Sequence, residues 1–88
     1  MIMSLSQSKR RKRILQYVLD KGFDGVSVRE TWHELREIDS DIPVASIISH
    51  LDRLAESGQI VEKRESGSQG YFRRFFDPRY AQNNNDTE

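Results

Sequence analysis

Residues 43–57, PVASIISHLDRLAES, combine side chains that can hydrogen-bond with small ones that permit close approach. The apolar residues recur at a spacing that predicts a helix with one buried side: Val44, Ile47, Leu51, Leu54 and Ala55. Five others are then expected to point outward: Ala45, Ser46, Ser49, His50 and Arg53. Short side chains near a helix start, followed by donors and acceptors, suit the reading of base edges in a DNA major groove. The alternative is a solvated helix face, on which serine and histidine are ordinary.

A second candidate group is the basic run KRRKR, which consists of Lys9, Arg10, Arg11, Lys12 and Arg13. Cations near a helix start oppose the helix dipole, so this run costs some stability. We interpret it as a set of phosphate contacts, or as an arm that reaches an adjacent groove of DNA. A solubilising or nuclear-targeting run is the alternative.

A third basic group flanks the turn-forming sequence SGSQG and comprises Lys63, Arg64, Arg73 and Arg74. Paired cations near the tip of a hairpin suit contact with phosphates or with a minor groove. Protection of an edge strand by charge is the alternative.

Local signals predict the elements that would position these side chains. A first helix is indicated by a stripe of apolar residues on one helical face: Ile14, Leu15, Val18 and Leu19. Ser6 or Ser8 can cap its start, and Gly22 is expected just beyond its end. A very short strand is expected to start at Val26.

A second helix is expected from about Val28 to Glu37, because Ser27 and Glu30 have the spacing of a capping box. Its inward-facing residues would be Val28, Trp32 and Leu35. Pro43 suits the first turn of the third helix, and Gly58 is expected to end it.

Beyond Gly58 the runs QIVEKRE and YFRRFFD are rich in strand formers, so with SGSQG between them they predict an antiparallel hairpin. Ile60 and some of the aromatic side chains would face the helices. The order of elements predicts an α+β fold of the winged helix-turn-helix class, with three helices and a two- or three-stranded antiparallel β wing. Residues 1–80 would form this domain, and the tail 81–88, AQNNNDTE, is expected to be disordered.

Composition narrows the functional classes. The 88 residues carry a net charge of zero, but residues 1–13 and 63–80 are basic while residues 14–62 hold ten acidic and four basic side chains. Cysteine is absent, so disulfides and thiolate metal sites are excluded. No apolar run suggests a membrane span or an export signal, and a cytoplasmic location is expected. His33 and Glu37 share a helix face but have no evident third ligand, so neither a metal nor another cofactor is predicted, and the chain is not expected to be an enzyme.

Two stretches resemble the DNA-binding half of ferric uptake regulator-type repressors: KRRKRILQYV and VSVRETWHELREIDSDIPVASIISHLDRLAESGQIVEK. Those repressors carry a third helix of the form Ile-Ser-x-Ala-Thr-Val-Tyr-Arg-x-Leu, followed by Leu-x-x-Gly-Leu/Ile-Val. The matching residues here run from Ile42 to Leu51 and are followed by LAESGQIV. The tyrosine and arginine of the family pattern are replaced by Ile48 and Ser49, and the family's dimerisation and metal-binding region has no counterpart in these residues. The resemblance therefore implies a DNA-binding winged helix without metal sensing; a lone winged helix with a basic arm is also similar to small phage, plasmid and archaeal-virus regulators.

Together these patterns predict a sequence-specific regulator of transcription, a small repressor that binds double-stranded DNA, with no small-molecule ligand or membrane partner. A homodimer is expected because one domain reads only a few base pairs, and the candidate dimer surfaces are Phe75 with Phe76, or the first helix around Tyr17. An alternative is a protein-interaction module, supported by the acidic middle and Ile48. Another is binding of RNA or single-stranded DNA by stacking on Tyr71, Phe72 and Phe75.

Overall fold

The structure is a computed structural model that describes residues 6–67 and 70–81. Within those ranges the chain forms four α-helices and three strands in an α+β arrangement. The helices are α1 (Gln7–Lys21), α2 (Val28–Arg36), α3 (Val44–Glu56) and α4 (Pro78–Ala81). The strands are β1 (Val26–Ser27), β2 (Val61–Gly67) and β3 (Gly70–Phe76), and a 3₁₀ turn spans Gly22–Asp24.

The helix boundaries follow from capping residues. The Ser6 hydroxyl accepts a hydrogen bond from the Lys9 amide and so caps α1, which ends at Gly22 with a φ of 62°. The predicted capping box of Ser27 and Glu30 is confirmed, since each side chain accepts a hydrogen bond from the other residue's amide. Pro43 was expected in the first turn of α3, but it is the N-cap residue just before the helix and has an extended conformation.

The three strands form one antiparallel sheet in the order β1-β3-β2. The predicted hairpin of β2 and β3 and the short strand at Val26 are therefore confirmed. Val26 pairs with Phe75, and Arg64 pairs with Arg73. The hairpin strands extend to Gly67 and Gly70, so they take in most of the predicted turn; residues 68–69 lie outside the described ranges.

The core lies between the first three helices and the sheet. Six of its buried residues come from the predicted helical stripes and four from other segments: Ile14, Val18, Leu35, Ile47, Leu51 and Leu54, with Val26, Ile42, Ile60 and Phe75. Leu19 of the predicted α1 stripe is only half-buried. Val44 was expected to be buried but is 38% exposed, because it lies in the first turn of α3 beside a groove that α2 does not close. Val28 and Trp32 are only half-buried for the same reason.

A glycine is required at position 25, directly before β1. Gly25 has a φ of 71°, and a Cβ atom there would lie 2.6 Å from the Phe76 ring. Of the tail predicted to be disordered, Ala81 ends α4, and residues 82–88 lie outside the described ranges. None of the helices in the described part of the chain has the length and apolar character needed to cross a bilayer.

Candidate nucleic-acid interface

The outer face of α3 carries most of the side chains that were predicted to read DNA. Ala45, Ser49 and Arg53 are exposed, and Ser46 is half-buried. Ala45 and Ser49 are one helical turn apart, so they form an open strip of small side chains along the first half of the helix. Glu56 is also exposed, further along α3. In a DNA groove, the first half of α3 would therefore present small side chains, and the second half would present Arg53 and Glu56.

His50 was expected on this outer face, and that prediction is wrong. The residue is 3% exposed, and neither ring nitrogen has a hydrogen-bond partner within the part of the chain that the structure describes. It lies three residues after Ile47 and four before Leu54, which places it on the buried stripe. Burial lowers the pKa of His50 from its ordinary value, and the positive charges of Arg11, Arg10 and Arg53 lower it further. His50 therefore packs in the interior as a neutral ring and cannot contact a base edge.

The basic run of residues 9–13 is helical rather than an extended arm, because it lies within α1. Two of its members are used by the fold instead of being free for phosphate. The Arg10 Nε atom donates to the buried Asp39 carboxylate at 2.8 Å, and Arg13 lies 3.3 Å from the Glu34 carboxylate on α2. Lys9 and Lys12 point into solvent, and Arg11 is half-buried.

Arg11 faces Arg53 across a cavity between α1 and the end of α3. The cavity is also lined by Glu56, Ser57 and Gln59. Neither arginine forms an ion pair with any carboxylate in the described ranges. Among the described residues, the buried Arg11 Nε atom has no hydrogen-bond acceptor. Two guanidinium groups at one cavity can hold an anion such as a phosphate, although the Glu56 carboxylate at the same cavity opposes it.

The hairpin arginines are engaged much more fully than the sequence suggested. Arg73 pairs with Glu62 at 2.8 Å and also with Asp52 of α3. These two carboxylates raise the pKa of Arg73, and the hydrogen bond from Arg73 lowers the pKa of Glu62. The pairing arises because Arg64 and Arg73 oppose each other in the sheet, and Glu62 lies two residues before Arg64 on the same face. The free positive charge predicted at Arg73 is therefore largely cancelled.

The remaining predicted hairpin cations also have protein partners. The Arg74 guanidinium donates to the carbonyls of Asp24 and Gly25 and lies 3.7 Å from Glu30. The exposed Arg64 pairs with Glu62 at 2.9 Å. The Lys63 Nζ atom lies 5.6 Å from the centre of the Phe76 ring, within the range of a cation–π interaction. The cations at the base of the hairpin therefore contact neighbouring groups of the protein.

Two of the aromatic side chains expected to mediate dimerisation or stacking are covered by the fold. Phe75 is fully buried in the core, and Phe76, on the opposite face of β3, is 9% exposed and lies against Gly25. Phe75 therefore cannot be a dimer surface or a stacking platform, and the side chains of Tyr71 and Phe72 lie outside the described part of the structure. Tyr17 is half-buried, with the Lys21 ammonium 5.6 Å from its ring centre.

In the described residues no three potential metal ligands from histidine, aspartate and glutamate lie together. Comparisons with protein-family models, with curated protein sequences and with solved structures gave no match to this chain.

Proposed function

We propose that the chain is a winged helix-turn-helix protein that binds double-stranded DNA in a sequence-specific manner and represses transcription. In this proposal α2 and α3 form the helix-turn-helix, with residues 37–43 as the turn, and the β2–β3 hairpin is the wing. Each copy would occupy one half-site, and a homodimer would read two.

The observation that carries the proposal is the exposed strip of Ala45 and Ser49 beside Arg11 and Arg53, which have no carboxylate partner among the described residues. A small side chain near the start of α3 lets the helix backbone approach the floor of a major groove. Ser49 can then donate to or accept from a base edge. Arg53 can contact a guanine or a phosphate, and Arg11 can hold a phosphate next to it.

The resemblance of residues 42–51 to the third helix of ferric uptake regulator-type repressors supports the same proposal. The family pattern has tyrosine and arginine where Ile48 and Ser49 stand in this chain. Because those two positions differ, the preferred DNA sequence should differ from that of the family.

Selection from random duplex DNA, followed by titration with salt, tests the proposal. Five cations of α1 and α3 have no carboxylate partner in the described ranges, and four of them lie near the proposed interface, away from Lys21 at the far end of α1: Lys9, Arg11, Lys12 and Arg53. Each phosphate neutralised contributes about 0.9 to the slope of log affinity against log salt, so we expect a slope of about −3 to −4 per monomer. A selection without enriched sequences, together with no binding at low salt, would end the proposal.

Variants separate the two kinds of contact. Arg11→Ala should reduce the slope by about 0.9 and weaken binding to all sequences alike. Ser49→Ala should leave the slope unchanged and alter the selected sequence at one position. Lys21→Ala is the matched control, because it removes a cation from the far end of α1. If Ser49→Ala keeps the wild-type sequence preference, α3 is not the reading element.

A further inference from the structure

A shallow groove between the start of α2 and the start of α3 has no role in the proposed reading of DNA. It is lined by Val28, Arg29, Trp32 and Val44, and we refer to these four residues as the α2–α3 groove. The Trp32 indole N–H donates to the Ile42 carbonyl at 3.0 Å, so the polar atom of the ring is already satisfied. The ring surface left at the groove is apolar, as are the side chains of Val28 and Val44.

Cations border this groove on the α2 side. The Arg36 guanidinium lies 4.6 Å from the centre of the Trp32 ring, and Arg29 is part of the groove itself. Arg29, Trp32 and Arg36 occur three and four residues apart, so they form one stripe along α2. Neither arginine pairs with a carboxylate in the part of the chain that the structure describes.

The two carboxylates of α2, Glu30 and Glu34, contact groups on another side of that helix. Glu34 lies beside Arg13 of α1. Glu30 completes the capping box and lies near Arg74. The groove is therefore apolar in the middle and positive along one border, which suits an apolar side chain flanked by acidic ones.

The turn between α2 and α3 carries such a combination. Ile38 is 45% exposed, although it is a large apolar side chain. Glu37 and Asp41, on either side of it in the sequence, are exposed, while Asp39 between them is buried against Arg10. We refer to residues 37–41 as the Ile38 turn. Its exposed side chains, one apolar and two acidic, complement the apolar centre and the positive border of the α2–α3 groove.

We propose that two copies of the chain associate through this surface, with the Ile38 turn of each copy seated in the α2–α3 groove of the other. Ile38 would contact Trp32 and Val44, and Glu37 and Asp41 would face Arg29 and Arg36. The Ile38 turn directly follows α2 and the groove lies between α2 and α3, so both parts of the contact lie close together on one surface of each copy. A two-fold axis that passes between them brings both contacts together, as closed symmetric dimers require. This inference does not depend on DNA binding.

Sedimentation equilibrium of the whole chain, from micromolar to millimolar concentration, tests the inference. The wild-type protein should form a dimer, and Ile38→Asp and Val44→Asp should each raise the dissociation constant at least about tenfold. Phe23→Asp is the matched control, since Phe23 is 72% exposed on the 3₁₀ turn and should leave the dimer intact. Circular dichroism of each variant would show that it is folded. A wild-type monomer at every concentration, or a dimer broken only by Phe23→Asp, would overturn the inference.

Charge reversal gives a test that a merely unfolded variant cannot mimic. Arg29→Glu with Arg36→Glu should weaken the dimer, and so should Glu37→Lys with Asp41→Lys. The four changes together should restore association, because both borders then carry the opposite sign. Failure of the quadruple variant to dimerise, while each pair remains folded, would contradict the proposed pairing. A monomer that still binds duplex DNA would overturn this inference and leave standing the proposed reading of one half-site by each copy.

Discussion

The two flanks of α3 use arginine in opposite ways. On the flank that faces α1, Arg11 and Arg53 line one cavity without a carboxylate partner in the described chain. On the flank that faces the hairpin, Arg73 is held by Glu62 and Asp52. The sequence shows a basic run near each flank, but among the described residues the α1 flank keeps two arginines without a carboxylate partner, whereas Arg73 on the hairpin flank has two. A count of cations therefore overestimates the positive potential that a protein offers.

The difference has a geometric cause. Consecutive residues of a helix point about 100° apart, so five cations in a row are distributed around α1. Arg10 reaches the turn before α3, Arg13 reaches α2, and Arg11 reaches the end of α3. Strand residues two apart share a face instead, so Glu62 lies beside the opposed pair of Arg64 and Arg73.

The largest expected effect concerns Arg10, the cation of α1 that pairs with a buried carboxylate. Arg10→Ala leaves the Asp39 side chain, which is 1% exposed, without its ion-pair partner. Removal of one member of a buried pair commonly costs about 3–5 kcal/mol, so we expect a loss of about 3 kcal/mol in the free energy of unfolding. Urea denaturation followed by circular dichroism measures it. Lys12→Ala, an exposed neighbour in the same run, should change stability by no more than about 0.5 kcal/mol. Equal free energies of unfolding for the two variants would show that the ion pair of Arg10 with Asp39 does not stabilise the fold.

A second test uses the pH dependence of stability to probe the positive charges near His50. The pKa of His50 is lowered from about 6.5 by burial and by Arg11, Arg10 and Arg53, so the folded chain keeps the ring neutral where the unfolded chain binds a proton. Stability should therefore be complete above pH 6.5 and fall as the pH decreases toward the lowered pKa, by at most about 1.4 kcal/mol per pH unit. The carboxyls of Glu62 and Asp77 also have lowered pKa values, but their ordinary values of 4.5 and 3.8 place their effects at more acidic pH.

Urea unfolding at several pH values between 7.5 and 5 isolates the histidine. His50→Leu should flatten the profile in this range, and His33→Gln, which changes an exposed ring, should keep the wild-type slope. Parallel profiles for the wild type and His50→Leu would mean that His50 accepts a proton in the folded state without cost.

The smallest expected effect concerns the compensated flank. Asp52→Asn removes one of the two carboxylates on Arg73 and leaves Glu62 in place. If the hairpin lies near DNA, as we propose, affinity should rise a few-fold at low salt, by about 1 kcal/mol or less, and the salt slope should become slightly steeper. Asp20→Asn is the control, because it changes the net charge equally at the far end of α1. An equal gain in both variants would show that only net charge matters.

The local parts of this structure could be predicted from the sequence. The capping box at Ser27, the end of α1 at Gly22 and the hairpin after Gly58 each depend on residues close together in the chain, and all are present. The buried stripes of α1 and α3 followed from helical spacing. His50 shows that the same spacing was the better guide than polarity, since its position on the stripe correctly indicates burial.

The candidate interface was harder to predict because its electrostatics depend on distant residues. Arg10 and Asp39 are 29 residues apart, and Arg73 and Asp52 are 21 apart. No local pattern indicates such pairs. The exposure of Val44 and Ile38 likewise depends on how far α2 covers the start of α3, which is a matter of tertiary packing.

Trp32 gives the molecule an intrinsic optical reporter. It is the single tryptophan of the chain, and its ring lies at the groove beneath Arg36 with its N–H bonded to the Ile42 carbonyl. Because indole emission responds to the polarity around the ring, the tryptophan fluorescence of the unlabelled protein, excited at wavelengths that tyrosine does not absorb, reports on one known place, where α2 meets the start of α3. Covering of the groove should shift the emission to shorter wavelength, and separation of α2 from α3 should shift it to longer wavelength.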